Sequence, residues 1–180
     1  MLIVKETTTR EDAVRSVVRT HRLKQTPTRV KAVYRPFWLG RTDYQARERD
    51  GSPVSGTIVF LADARILHWS IIGVYKRKIA DALDLRDHQV NFVATETQPE
   101  EPAEVLEALL SSSELPSRAK LYSSRRFLAR TLKLGKIEFA ESIDYQLIHR
   151  PYWEIEFQNR RGQEDVALVS RDDILIRKRV

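Results

Sequence analysis

Four histidines stand in the chain, His21, His68, His88 and His149, and no two lie at HxH or HxxxH spacing. A metal site built on one helix or hairpin needs such pairs, so no metal centre is expected. Asp84, Asp87 and His88 come nearest to a ligand cluster, but a solvated helix end is the better account of them. Asp63 follows the apolar run Ile58–Ala62, and Asp172 and Asp173 occupy a comparable place near the other end of the chain. Carboxylates can do acid–base work when burial separates their pKa values. Aspartates at such positions also start turns by accepting from nearby backbone amides, which is the simpler expectation here. Leu134-Gly135-Lys136 lacks the earlier glycine of a phosphate-binding loop, and there is no Gly-x-Ser-x-Gly elbow. With no Cys at all, disulfides, thiolate zinc sites and cysteine nucleophiles are excluded. The expectation is a protein without a cofactor and without a catalytic site, leaning away from an enzyme.

Cationic side chains carry more of the pattern. Arg15, Arg19 and Arg22 fall along one side of a helical stretch, and Arg126, Arg130 and Lys133 form a second stripe with Tyr122. Arginine in such rows can take phosphates bidentately, which would make these six residues a polyanion-binding set. A solvated helix face carries the same residue types, so both readings stand. No zinc finger, RNP-type aromatic pair or GXXG loop is present, so contacts to nucleic acid would go to the backbone with little sequence preference.

Those stripes sit on a chain of 180 residues with 31 Lys and Arg, 25 Asp and Glu, and a net charge of +6. Apolar residues make up 42% and charged ones 31%, the balance of a globular protein with a real core. No window reaches the roughly 20 apolar residues of a membrane span, and Met1–Arg10 does not read as a secretory signal. A cytoplasmic location is the corresponding expectation.

The elements that would position these residues suggest an internal repeat. Tyr34-Arg-Pro-Phe-Trp38 is echoed by His149-Arg-Pro-Tyr-Trp153. Downstream of each come a candidate hairpin tip, Asp50-Gly51 or Arg161-Gly162, and a strand-like run, Thr57–Leu61 or Val166–Val169. Pro36 and Pro151 belong at strand starts, edges or bulges, because neither has an amide to donate. Trp153, Ile155 and Phe157 alternate with Glu154, Glu156 and Gln158, the period of a half-buried strand. Gly40 marks a bulge or a close backbone approach. The Pro-aromatic strand, hairpin and Asp turn resemble small helix-plus-meander modules of the PepSY type, without that family's terminal glycine after Ala64 or Asp173. No function is carried over from that resemblance.

A helix opens at Thr8-x-x-Glu11, a capping box, with Ala13, Val14, Val17, Val18 and His21 on its apolar side. The spacing predicts further helices over about 74–85, 102–110 and 117–133, and strands at 90–95 and 137–147. The expected fold is therefore α+β, two related helix-plus-antiparallel-meander units packed side by side. Residues 1–97 would hold the first unit and a connecting helix, and residues 98–180 the second, either as two abutting subdomains or as one compact domain. The expected role is a non-catalytic binding or assembly module acting through a protein partner or a homo-oligomer. Nucleic-acid binding through the arginine-rich faces is the alternative.

Overall fold

The computed structural model describes residues 1–23, 27, 29–66, 69–78, 94–99, 102–115, 134–140, 143–159, 161–172 and 178–179. Among them the order is β1 (Leu2–Val4), α1 (Arg10–His21), β2 (Arg29–Glu48), β3 (Pro53–Asp63), β4 (Trp69–Lys78), β5 (Ala94–Glu96) and β6 (Ala103–Val105). A 3-10 turn (Ser112–Glu114) follows, then β7 (Leu134–Phe139), β8 (Asp144–Gln158), β9 (Glu164–Ser170) and β10 (Lys178–Arg179). The protein is predominantly β. Its residues cluster into two compact units, each drawing on both halves of the chain.

One unit comprises Met1–Phe37, Phe92–Ala108 and Ile148–Ile174. Here β8 pairs with β9 antiparallel, from Tyr152 opposite Ser170 to Gln158 opposite Glu164. It also meets β1 in parallel at His149 and Ile3, and it neighbours β2. β5 lies antiparallel on β1, and β6 lies parallel on β2, so the sheet is mixed. α1 covers one face. Its Ala13 and Val17 pack with Ile155 and Phe157, and Val14, Trp153, Ala167 and Val169 close around them. The N-cap is Thr9, one residue beyond the expected Thr8, and its Oγ1 accepts from Asp12 N at 3.2 Å.

The other unit comprises Trp38–Asn91, Leu109–Leu147 and Leu175–Val180. β3 and β4 form a long antiparallel pair from Val54 opposite Lys78 to Ala62 opposite Trp69, and β7 lies antiparallel on β2. Tyr44, Ala46, Val54, Ile58, Phe60, Leu134 and Ile137 make its core. The tip between β2 and β3 turns at Gly51, where φ is +87°, a conformation that favours glycine. Gly40 is a close approach: a Cβ there would lie 2.1 Å from Cζ of the Phe60 ring, far inside contact distance.

These findings overturn the expected α+β architecture and the internal repeat. Residues 103–105, expected in a helix after Pro102, instead pair with Ala32–Tyr34 as β6. A helix at 102–110 would have needed its own apolar surface to cover, whereas the open side of β2 offers backbone partners directly. Val74–Lys78 bonds to Val54–Ile58 as part of β4, so cross-strand pairing overrides the four-residue apolar spacing. The remainder of the 74–85 helix and all of the 117–133 helix fall outside the described residues. The expected strand over 137–147 is two strands, β7 and β8, and Ala94–Glu96 is β5.

No repeated unit is evident. Trp38 belongs beside the Tyr44–Phe60 core and donates its indole N–H to Leu110 O, in the chain before the 3-10 turn. Trp153 packs under α1, donates to Thr8 O and carries the Arg171 guanidinium 4.0 Å above its ring. The two indoles sit in different surroundings. The matching pentapeptides are better explained by shared packing: both lie on neighbouring strands, where Phe37 and Tyr152 stack with ring centroids 6.4 Å apart.

Both prolines lie inside strands rather than at their starts, and each is placed where a strand neighbour gives out. Leu106 N donates to Tyr34 O at 2.9 Å, so Tyr34 and, two residues on, Pro36 face the β6 side. β6 has ended by then, its last partner being Tyr34. Pro151 faces the side on which β8 changes neighbours, between β1 at His149 and β9 at Tyr152. Its carbonyl still accepts from Arg171 N at 2.9 Å. At Pro36 no described strand remains to receive the missing N–H; at Pro151 the reciprocal bond to Arg171 O is lost, and that carbonyl accepts from Thr7 N and Thr8 N instead.

Gly40→Ala should lower unfolding stability by about 1–3 kcal/mol, because the Phe60 ring must shift within a packed core. Combined with Phe60→Leu, the loss should fall short of the sum of the two single losses in chemical denaturation. Strict additivity would contradict the close approach.

Candidate interaction surfaces

β9 is the element whose side chains divide most sharply. The β8–β9 hairpin closes through Asn159, whose N donates to Gln163 O at 2.8 Å and whose Oδ1 accepts from Arg161 N and Gln163 N. Gly162 sits at φ +76° in that turn. From there the pairing runs without a register shift. Ala167 and Val169 point to α1, so their neighbours Val166 and Leu168 point away by the two-residue period of a strand. Those two are 53% and 42% exposed. Among the described residues β9 pairs with β8 alone, leaving its other edge open.

The far end of β9 is anchored in charge. Arg150 has 1% side-chain exposure, and its Nε and Nη2 donate to Asp172 Oδ2 at 2.9 Å and Oδ1 at 2.7 Å. Nη2 also reaches Ser170 Oγ at 3.2 Å, and Ser170 Oγ donates to Asp172 Oδ1 at 3.0 Å. Phe37 and Tyr152 hold the guanidinium against their rings, with centroids 5.3 and 5.5 Å away. Desolvation is the largest influence and works against the Arg150 charge, but hydrogen bonding to Asp172 together with attraction to Tyr152 and Asp172 outweighs it and raises the guanidinium pKa. Next door, Arg171 pairs with Glu6, which also accepts from Tyr34 Oη at 2.8 Å. Thr7 and Thr8 donate their amides to Arg171 O, tying the segment before α1 to the end of β9.

On the sheet face opposite α1, Lys31 bridges Glu104 and Glu154, each at 2.8 Å, and Arg29 pairs with Glu156 at 3.4 Å. Hydrogen bonds to Glu104 and then Glu154 raise the Lys31 pKa. These pairs are exposed and contribute little to stability. Through the β8–β9 register, Glu156 and Glu154 stand opposite Val166 and Leu168.

The carboxylates singled out in the sequence are structural. Asp63 is buried, and its Oδ1 accepts from Arg65 N at 2.8 Å, the expected turn chemistry. Asp172 is the partner of Arg150, and Asp173 lies outside the described residues. His149 is half-buried on β8, with Nδ1 lacking a hydrogen-bond partner. Desolvation, then repulsion from the N-terminal ammonium, lowers its pKa from 6.5. Among the described residues no group of three or more His, Asp or Glu could hold a metal ion. Nor is any helix among them long and apolar enough to cross a membrane.

Arg15, Arg19 and Arg22 are exposed on α1, on the side away from Ala13 and Val17. Arg15 makes a 3.7 Å ion pair with Asp12, and Arg22 caps the helix at φ +51°. Arg126, Arg130 and Lys133 lie outside the described residues. The buried Arg150–Asp172 clamp and the outward Val166 and Leu168 escaped the sequence reading. The one available signal was the four-residue apolar run from Val166 to Val169 in a strand with a single helix to cover it. No protein-family model, curated protein or solved structure matches the chain.

Because folding favours neutral His149, the unfolded chain binds its proton more readily. Stability should therefore fall as pH drops below 6.5 and level off once pH passes below the folded-state pKa. His149→Gln should flatten that part of the profile in denaturation at pH 5 to 7 (from about 1.5 units below an ordinary histidine to about half a unit above it). A folded-state NMR titration of the imidazole at or above 6.5 would contradict this.

Proposed function

We propose that this protein is a non-catalytic binding module acting through protein–protein contacts, and that it makes them through the open edge and outward side chains of β9. The observation that carries the reading is β9 itself, a seven-residue strand paired on one side among the described residues. Val166 and Leu168 project from it into solvent. An open edge supplies backbone donors and acceptors, and alternate side chains supply selectivity, which is how sheets take on a further strand. β9 carries no lysine, proline or bulge; its two charges, Glu164 and Asp165, stand at its start, where Asp165 Oδ1 accepts from Val166 N at 2.9 Å.

A photocrosslinking residue in place of Val166 should give protein adducts in host cells, while one in place of Arg15 should not. Leu168→Glu should abolish the adducts. Adducts that persist in that variant, or none from position 166, would contradict the reading.

The exposure of Arg15, Arg19 and Arg22 on one side of α1 favours a second reading, binding of nucleic acid through its phosphates. Its signature is retardation of labelled DNA or RNA with a steep salt dependence, lost in Arg19→Glu/Arg22→Glu.

A further inference from the structure

We infer that the partner of β9 is a second copy of this chain, joined by antiparallel β9–β9 pairing about a two-fold axis at Ala167; this rests on the protein-contact reading above. A two-fold axis perpendicular to a sheet keeps each residue on its own face, so the axis must pass beside a residue rather than between two. Few registers are then available to a strand of this length. With the axis at Ala167, Val166 stands opposite Leu168 of the second copy, and Leu168 opposite its Val166. Both exposed apolar side chains are covered at once.

The charges agree with the same register. Glu164 falls opposite Ser170 and Asp165 opposite Val169, so no like charges meet across the seam. Moving the axis to Val166 sets Leu168 against Glu164. Moving it to Leu168 sets Val166 against Ser170, and moving it to Asp165 sets that carboxylate against its own copy. Only the Ala167 register sets both exposed apolar side chains, Val166 and Leu168, against apolar partners. The unshifted pairing of β9 with β8 keeps its outer edge regular enough to receive a strand.

The test is light scattering with hydrogen exchange on the whole chain. Wild-type protein should show twice the 21.0 kDa chain mass, with the outward-facing amides of Val166 and Leu168 protected in step with association, those of Asp165, Ala167 and Val169 being bonded to β8 already. V166K/L168K and V166E/L168E each oppose like charges across the seam and should fall to the single-chain mass with circular dichroism unchanged. Mixing the two should restore the doubled mass, because every crossing then joins Lys to Glu. A monomeric wild type with fast-exchanging Val166 and Leu168 amides would overturn the dimer and leave the edge open to a different protein. A monomeric wild type with those two amides protected would overturn both the dimer and the open edge. A dimer that survives in either variant, or that fails to reform on mixing, would place the contact elsewhere and sink the inference.

Discussion

A guanidinium taken out of water must be met by acceptors on several sides, and Arg150 is met by both oxygens of Asp172 and by Ser170. Losing one member would leave a buried charge uncompensated, at a cost of about 3–5 kcal/mol, far more than the surface pairs of Lys31 or Arg29 contribute. The clamp joins the residues that end β9 to the middle of β8, beside Pro151, which has no amide to give. It works with the Arg171–Glu6 pair, which brings in the segment before α1. Strand, helix entry and sheet are thereby tied at one place.

From that anchor the character of β9 follows. With Ser170 and Asp172 held, the pairing with β8 has a fixed register, and a slip by one residue would exchange the two faces. Ala167 and Val169 then meet Ala13 and Val17 under α1, and Val166 and Leu168 are left outside with no helix over them. The outward apolar pair is thus a consequence of one helix covering one face of a strand that is apolar on both. Opposite it, the Glu154 and Glu156 carboxylates keep the adjoining face polar.

Local features were legible in the sequence to the extent that local chemistry determines them. The apolar side of α1, the hairpin glycines at 51 and 162, the alternation of Trp153, Ile155 and Phe157, and the turn role of Asp63 all follow from short-range rules. What failed was global. Pentapeptides that pack on each other in neighbouring strands resemble the signatures of separate repeats, because both fit the same layer. Val105, Leu106, Leu109 and Leu110 have helical apolar spacing, yet β2 offered residues 103–105 a strand to pair with, and that pairing is invisible without the fold. The candidate surface was hidden for the same reason. Arg150 reads as a polar residue in a strand until Asp172, 22 positions away, is brought to its guanidinium.

The most direct measurement is a double-mutant cycle on Arg150→Met and Asp172→Leu, read as unfolding free energy in denaturant. Once one partner is gone the other is a stranded buried polar group, so the double variant should be more stable than the sum of the single losses, with a coupling of about 2–3 kcal/mol. Losses that add within about 0.5 kcal/mol would mean that the two side chains do not meet, and the anchoring of β9 would have to be sought elsewhere.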